Sequence, residues 1–249
     1  MSRAEPLLGA GVVAALLGLW ELAPRAGWVR EQSVPPFSDV AEEVANVVTS
    51  PEFFGDLGAS AGRWAVGLAL AVVIGVALGM AMGRSRVLHA LVDPLLVVGY
   101  PVPKAALILL FVLWWGAGDA SRVAVIVTGS LIPIVISAYH GAAGVPPALL
   151  WSARGLGIRR TWRVVLGAAL PQILSGLRLA IGISLFTALA SELLIRGSGI
   201  GSSMFTALDN GQTRTVFAMS AIVATIGFLV DALYAASVRR LAPWLEGDV

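Results

Sequence analysis

The sequence predicts an all-α membrane protein with six transmembrane helices and one short helix in a cytoplasmic loop. Three observations predict it. Hydrophobic residues make up 57% of the chain and charged residues only 13%, where a soluble domain carries about 25% charged residues. Mean hydropathy is +0.85. Six segments approach the roughly 20 apolar residues that a bilayer crossing needs. They run approximately over Leu7–Ala23, Trp64–Met82, Leu91–Trp115, Val123–Tyr139, Val164–Leu194 and Val216–Ser237. The whole chain, 1–249, reads as one transmembrane domain.

The first segment follows Arg3, as a signal peptide would. Its flank Trp20-Glu21-Leu22-Ala23-Pro24 offers no small-x-small cleavage site, so it reads as a retained anchor. Residues 24–62 then form an outer loop. Within it Ser38 is a candidate N-cap, and Asp39 and Glu42 suit the positive end of a helix dipole. Val40, Val44, Val47 and Val48 recur at near-helical spacing, which predicts an amphipathic helix bracing the first two spans.

The third span carries Pro94 and then Pro101-Val102-Pro103-Lys104. Prolines break the backbone ladder, and in lipid a freed carbonyl must find a partner in protein or in a water-filled cavity. A helix lining a pathway and a kink packed on neighbours both fit. A lysine facing lipid costs roughly 2.5 kcal/mol or more, which turns Lys104 inward. The fifth segment is too long for one upright crossing, so it tilts or emerges at one end.

Arginines orient the chain. With the N-terminus inside, Arg3, Arg84, Arg86, Arg154, Arg159, Arg160, Arg163, Arg239 and Arg240 fall inside. Arg25, Arg30, Arg63, Arg122, Arg196 and Arg214 fall outside. The excess is clearest in the short loops, where the rule is strongest. Both termini are therefore expected in the cytoplasm.

Residues 141–163 form the most distinctive loop. Gly141–Gly144 ends the fourth span, and Pro146-Pro147 suits the first turn of a short helix. Ala148–Arg154 supplies about two turns, Gly155 and Gly157 end them, and Thr161 is a candidate cap for the next helix. This helix displays Leu149, Leu150, Trp151 and Leu156. An interfacial helix with Trp151 at the headgroups and a docking helix for a partner both fit these residues.

The surrounding motifs carry a resemblance. Ala153-x-x-x-Gly157, Arg163–Leu166 and Ala168–Arg178, the last reading Ala-Ala-Leu-Pro-x-Ile-x-x-Gly-Leu-Arg, resemble the cytoplasmic loop signature of ATP-binding-cassette importer permeases. Asp93-Pro94-Leu95-Leu96, Pro101-x-Pro103, Leu113–Asp119 and Arg239–Trp244 resemble the nitrate, sulfonate and taurine group. The similarity extends over most of the chain. Two positions depart from it. Trp151-Ser152-Ala153 stands where the family pattern begins Glu-Ala-Ala, and Gly167 stands where many relatives have proline.

The resemblance implies a type I importer permease fold in a prokaryotic plasma (inner) membrane. It implies that Leu149, Leu150, Trp151, Ser152, Ala153, Leu156 and Gly157 dock on a separate ATPase. The partners it implies are two copies of that ATPase, a second permease copy forming a homodimer, an extracytoplasmic solute-binding protein and membrane lipid. ATP and Mg²⁺ would belong to the ATPase, with no cofactor on this chain. The group handles nitrate, organosulfonates, bicarbonate, aromatic acids and pyrimidine vitamin precursors.

The residues exclude other classes. No Gly-x-x-x-x-Gly-Lys-Ser/Thr loop is present, so the chain is not itself the ATPase. Gly197–Gly201 follows a span, not a strand, and reads as an outer turn. Cysteine is absent, and His89 and His140 lack ligand-spaced partners, so no metal site is expected. A net charge of +2 does not point to nucleic acid. The pathway candidates are Pro101, Pro103, Lys104, Arg178 and Glu192. For Arg178 and Glu192 the structural alternative is pairing, Arg178 with a carboxylate or helix carbonyls and Glu192 with Arg196. The alternative function is a self-contained secondary transporter, which predicts repeated halves and paired broken helices. One broken span is visible and no second copy of it.

Overall fold

The computed structural model describes residues 4–241. Ten α-helices account for its regular structure: α1 Ala4–Arg25, α2 Phe37–Thr49, α3 Pro51–Arg84, α4 Arg86–Gly99, α5 Lys104–Trp115, α6 Asp119–Ala143, α7 Pro147–Gly155, α8 Thr161–Leu194, α9 Ile200–Asp209 and α10 Thr213–Leu241. Among the described residues, α3, α6, α8 and α10 are long and apolar enough to cross a membrane, and α5 is a shorter apolar helix. Arg3 and the end of the Arg239–Trp244 motif lie outside the described residues.

The chain divides into two compact units. One comprises residues 1–58 with 198–226, the other 59–197 with 227–249. In the first, Trp20 of α1 donates from Nε1 to the Pro35 carbonyl at 3.0 Å and packs edge-on against Phe37. The expected amphipathic helix is α2. It buries Val40 and half-buries Val44, Val47 and Val48, while Ala41, Glu42, Ala45 and Asn46 stay exposed. Its cap differs from expectation. The N-cap is Pro36, and Ser38 lies inside the first turn. The Glu21 carboxylate accounts for this by accepting from the Ser38 backbone N–H at 2.9 Å and its hydroxyl at 3.0 Å. A side chain from α1 thus does the capping that Ser38 was expected to do. The outer loop is also shorter than expected, because α3 starts at Pro51 and takes residues 51–62 into its first turns.

The second unit is built on α3, α6 and α8. Along α3, Gly67, Ala71, Gly75, Gly79 and Gly83 recur every fourth residue, which places small residues on one helical face. That face meets α6 at backbone distance. A methyl placed on Gly67 would lie 2.6 Å from the Ile126 side chain, and one on Gly79 only 2.4 Å from the Val135 carbonyl oxygen. The same device joins α6 to α8, where Gly129 meets Thr187, Gly141 meets Ala169 and Gly176 meets Ser137. Membrane helices lack a hydrophobic force between them, and close small-residue packing with dispersion contacts replaces it. Ala71, Ile134 and Ala180 form one buried cluster in this layer, and Ala138, Ala169 and Ile173 another.

The third predicted span is two helices. α4 ends at Gly99 and α5 starts at Lys104, with Pro101 and Pro103 in the break. α5 buries Ile108 against Val125 and Ile195. α4 buries no residue. His89 ties it to α6 by stacking on Tyr139, whose hydroxyl lies 3.2 Å from His89 Nε2.

Candidate functional site: a surface helix and two ion networks

α7 is the helix expected in the 141–163 loop. Pro147 occupies its first turn, and the end of α6 at Ala143 with Gly144 as cap precedes it. At its far end the Ile158 N–H donates to the Ala153 carbonyl at 2.9 Å and the Gly157 N–H to Arg154 at 3.0 Å. This nested pair is the Schellman arrangement, and it places the residue after the cap in the left-handed region. Gly157 has φ +77° there. The expected Thr161 cap is absent. Arg160 is the N-cap of α8, and Thr161 is already its first residue.

The candidate coupling residues fall on two faces of α7. Leu150 and Ala153 turn inward and are buried. Leu150 packs with Ala142, Val145 and Val165, which pins α7 to the ends of α6 and α8. Leu149, Trp151 and Leu156 turn outward, with Trp151 68% and Leu156 80% exposed, and Ser152 and Gly157 share that exposure. A helix of nine residues is marginal alone, so the inward pair is what holds the outward one in place.

The pathway candidates separate as sharply. Pro101 and Pro103 are exposed in the break. Lys104 closes it. Its Nζ donates to the Gly99 carbonyl at 3.1 Å and to the Tyr100 carbonyl, and it lies 5.6 Å from the Tyr100 ring centroid. These carbonyls end α4, where a cation also suits the helix dipole.

Glu192 is 1% exposed. Its carboxylate accepts from Arg63 Nη1 at 2.7 Å and from the Ser60 hydroxyl at 2.8 Å. Arg63 comes from 129 residues away, a partner that sequence reasoning did not offer. Arg63 Nε also donates to Asp119 at 2.7 Å, and Arg122 donates to Asp119 at 3.0 Å. Arg122 Nη2 reaches the Ile195 carbonyl at 3.0 Å, capping α8. Two guanidinium groups thus face two carboxylates across the ends of α3, α6 and α8.

Arg178 forms the other network. Its Nε and Nη2 donate to the two oxygens of Asp231, each at 2.9 Å. This is the carboxylate partner that the structural alternative required. Sequence reasoning missed Asp231 itself, although a lone aspartate in the apolar run of α10 was its signal. Tyr234, one turn on, donates to the Leu174 carbonyl at 2.7 Å and fastens α10 to α8 beside the pair.

In the other unit, Asp56 of α3 accepts from the Gly199 N–H at 2.8 Å and from the Ser203 hydroxyl, so it holds the first turn of α9. The expected outer turn at Gly197–Gly201 therefore leads into a helix. A cavity of about 610 Å³ lies in the same unit, lined by Glu31, Gln32, Glu43 and residues 211–215.

An all-helical chain with an anchored, outward-facing loop helix matches one family model over residues 71–243, that of the binding-protein-dependent transport system inner membrane component. The chain belongs to this family. It is therefore a multi-pass membrane subunit of a transport system and not an enzyme. It is 33% identical to the taurine transport system permease protein TauC of Escherichia coli (strain K12) over 251 residues, 97% of this chain and 90% of that protein. It is 32% identical to the putative aliphatic sulfonates transport permease protein SsuC of Bacillus subtilis (strain 168), covering 93% and 85%. It is 28% identical to the nitrate import permease protein NrtB of Leptolyngbya laminosa, covering 92% and 85%.

Proposed function

We propose that this chain is the permease subunit of an ATP-driven importer for a small anion. The observation that carries this is α7, a short helix pinned by Leu150 and Ala153 that presents Leu149, Trp151 and Leu156 outward. Exposed tryptophan and leucine on a rigid support are the residues from which interface hot spots are made. A separate ATPase docks there, with ATP and Mg²⁺ held on that partner. The arginines of residues 154–163 support a cytoplasmic side for this face and for both termini. Two permease copies, each with one ATPase, form the pathway, and an extracytoplasmic binding protein delivers the solute. The relatives named for taurine, aliphatic sulfonates and nitrate support an oxyanion as the solute class.

Reconstitution tests this against a self-contained carrier. The chain is placed in liposomes with its ATPase, its binding protein and a labelled sulfonate or nitrate. Uptake is expected only when ATP and both partners are present. Uptake by the chain alone, driven by an ion gradient, would contradict the proposal.

A further inference from the structure

Arg178 sits halfway along α8. At about 1.5 Å per residue it lies roughly 25 Å from the first residue of a helix roughly 51 Å long. An ionised side chain turned to lipid is costly, so it faces protein or water. This chain does not cover it. The side chains of Arg178 and Asp231 are 43% and 45% exposed. Gln172 and Ser175 are exposed as well, at steps of three residues along α8, and Gly182 follows one turn on. Residues three and four apart share a helical face, so Gln172, Ser175 and Arg178 form a polar patch on the exposed side of α8, bordered by the exposed Leu179.

The geometry of the pair adds a second observation. Asp231 takes Nε and Nη2 of Arg178, which leaves the Nη1 edge of the guanidinium for another acceptor. Asp231 fixes how that edge is presented, and Tyr234 fastens α10 to α8 beside it. We propose that Arg178 is a specificity-determining residue for the solute. The face formed by Gln172, Ser175 and Arg178 lines a water-filled route, and Nη1 donates a charge-assisted hydrogen bond to a passing oxyanion. Asp231 positions the guanidinium and offsets its charge. That offset matters because conduction needs a site attractive enough to enter and weak enough to leave. This inference rests on the reading above that the chain imports an anion.

The chain has no native cysteine, so Ser175→Cys supplies a single reporter. It is introduced into the full chain assembled with its ATPase, in vesicles with the cytoplasmic face outward and no ATP. Two water-soluble thiosulfonates are compared, one bearing a sulfonate and one a trimethylammonium group, each normalised to a free thiol. Ser175→Cys is expected to react, with the anionic reagent favoured on the order of fivefold, as one screened charge gives. Arg178→Gln should abolish the preference, and Arg178→Lys should keep it. Should Arg178→Gln fail to assemble, Arg178→Gln with Asp231→Asn removes both charges and is read in the same way. An unreactive Ser175→Cys beside a reactive Arg86→Cys control in the exposed inner loop overturns the proposal, because the face is then sealed by lipid or by a second copy. A charge preference unmoved by neutralising Arg178 overturns it too. Anion uptake by the unaltered transporter is measured alongside. Failure there sinks the import reading, whereas normal uptake with an unreactive Ser175→Cys sinks this inference alone.

Discussion

Two ion networks share α8 and differ in almost every respect. At one end Glu192 and Arg63 are buried, at 1% and 8% exposure, and the solvent-facing Asp119 closes the cluster at its rim. At the middle Arg178 and Asp231 form a single pair that is nearly half exposed. The first network joins α3, α6 and α8 and fixes the ends of a tightly packed layer. The second joins only α8 and α10 and keeps a donor edge open. Charge inside a membrane protein is expensive in both places, and burial separates what it is for. A buried pair such as Arg63–Glu192 holds helices, whereas a half-exposed pair such as Arg178–Asp231 leaves a donor edge for another partner.

Breaking the covered network gives the largest effect. Arg63→Ala leaves the Glu192 carboxylate buried without that guanidinium, and removing one partner of a buried pair costs about 3–5 kcal/mol. Little folded protein should then be recovered from detergent extracts by size-exclusion chromatography. Asp231→Asn, at the exposed pair, should leave recovery near normal. Equal losses from the two variants would erase the distinction drawn between the networks.

The packing layer sharpens the comparison at smaller cost. Gly79→Ala places a methyl against the Val135 carbonyl, and overpacking of this kind costs about 1–3 kcal/mol. Gly167 has nothing within 4 Å of an added methyl. Gly79→Ala should lower the thermal midpoint of the purified chain, and Gly167→Ala should leave it unchanged. A midpoint unaffected by Gly79→Ala would mean that α3 and α6 do not approach as closely as described.

Much of this architecture was legible in the sequence, and the misses have physical reasons. Apolar length located α6, α8 and α10, because a bilayer sets one dominant constraint. Pro101 and Pro103 marked the break between α4 and α5, and Pro146-Pro147 with Gly157 marked both ends of α7. The glycine step along α3 stands in the sequence at Gly67, Gly75, Gly79 and Gly83, but a spacing of four does not name the helix that packs on it. The Arg63–Glu192 contact was out of reach, since no local spacing relates residues 129 apart. Arg63 looked like a topology charge for the same reason. Ser38 misled because the group that caps α2 comes from α1. The two faces of α7 were also hidden, since Leu149, Leu150 and Trp151 in a row do not say which of them the chain itself will cover.

That last division carries the central claim, that α7 is a docking helix held from beneath. The most direct measurement compares Leu150→Ala with Trp151→Ala in the purified chain and in the reconstituted transporter. Leu150→Ala should destabilise the fold, by about 2–5 kcal/mol for a buried leucine. Trp151→Ala should melt like the unaltered chain. It should bind the ATPase at least about 30-fold more weakly, as loss of a hot-spot tryptophan predicts, and solute should no longer stimulate ATP hydrolysis. Normal ATPase affinity and normal stimulation with Trp151→Ala would contradict the account.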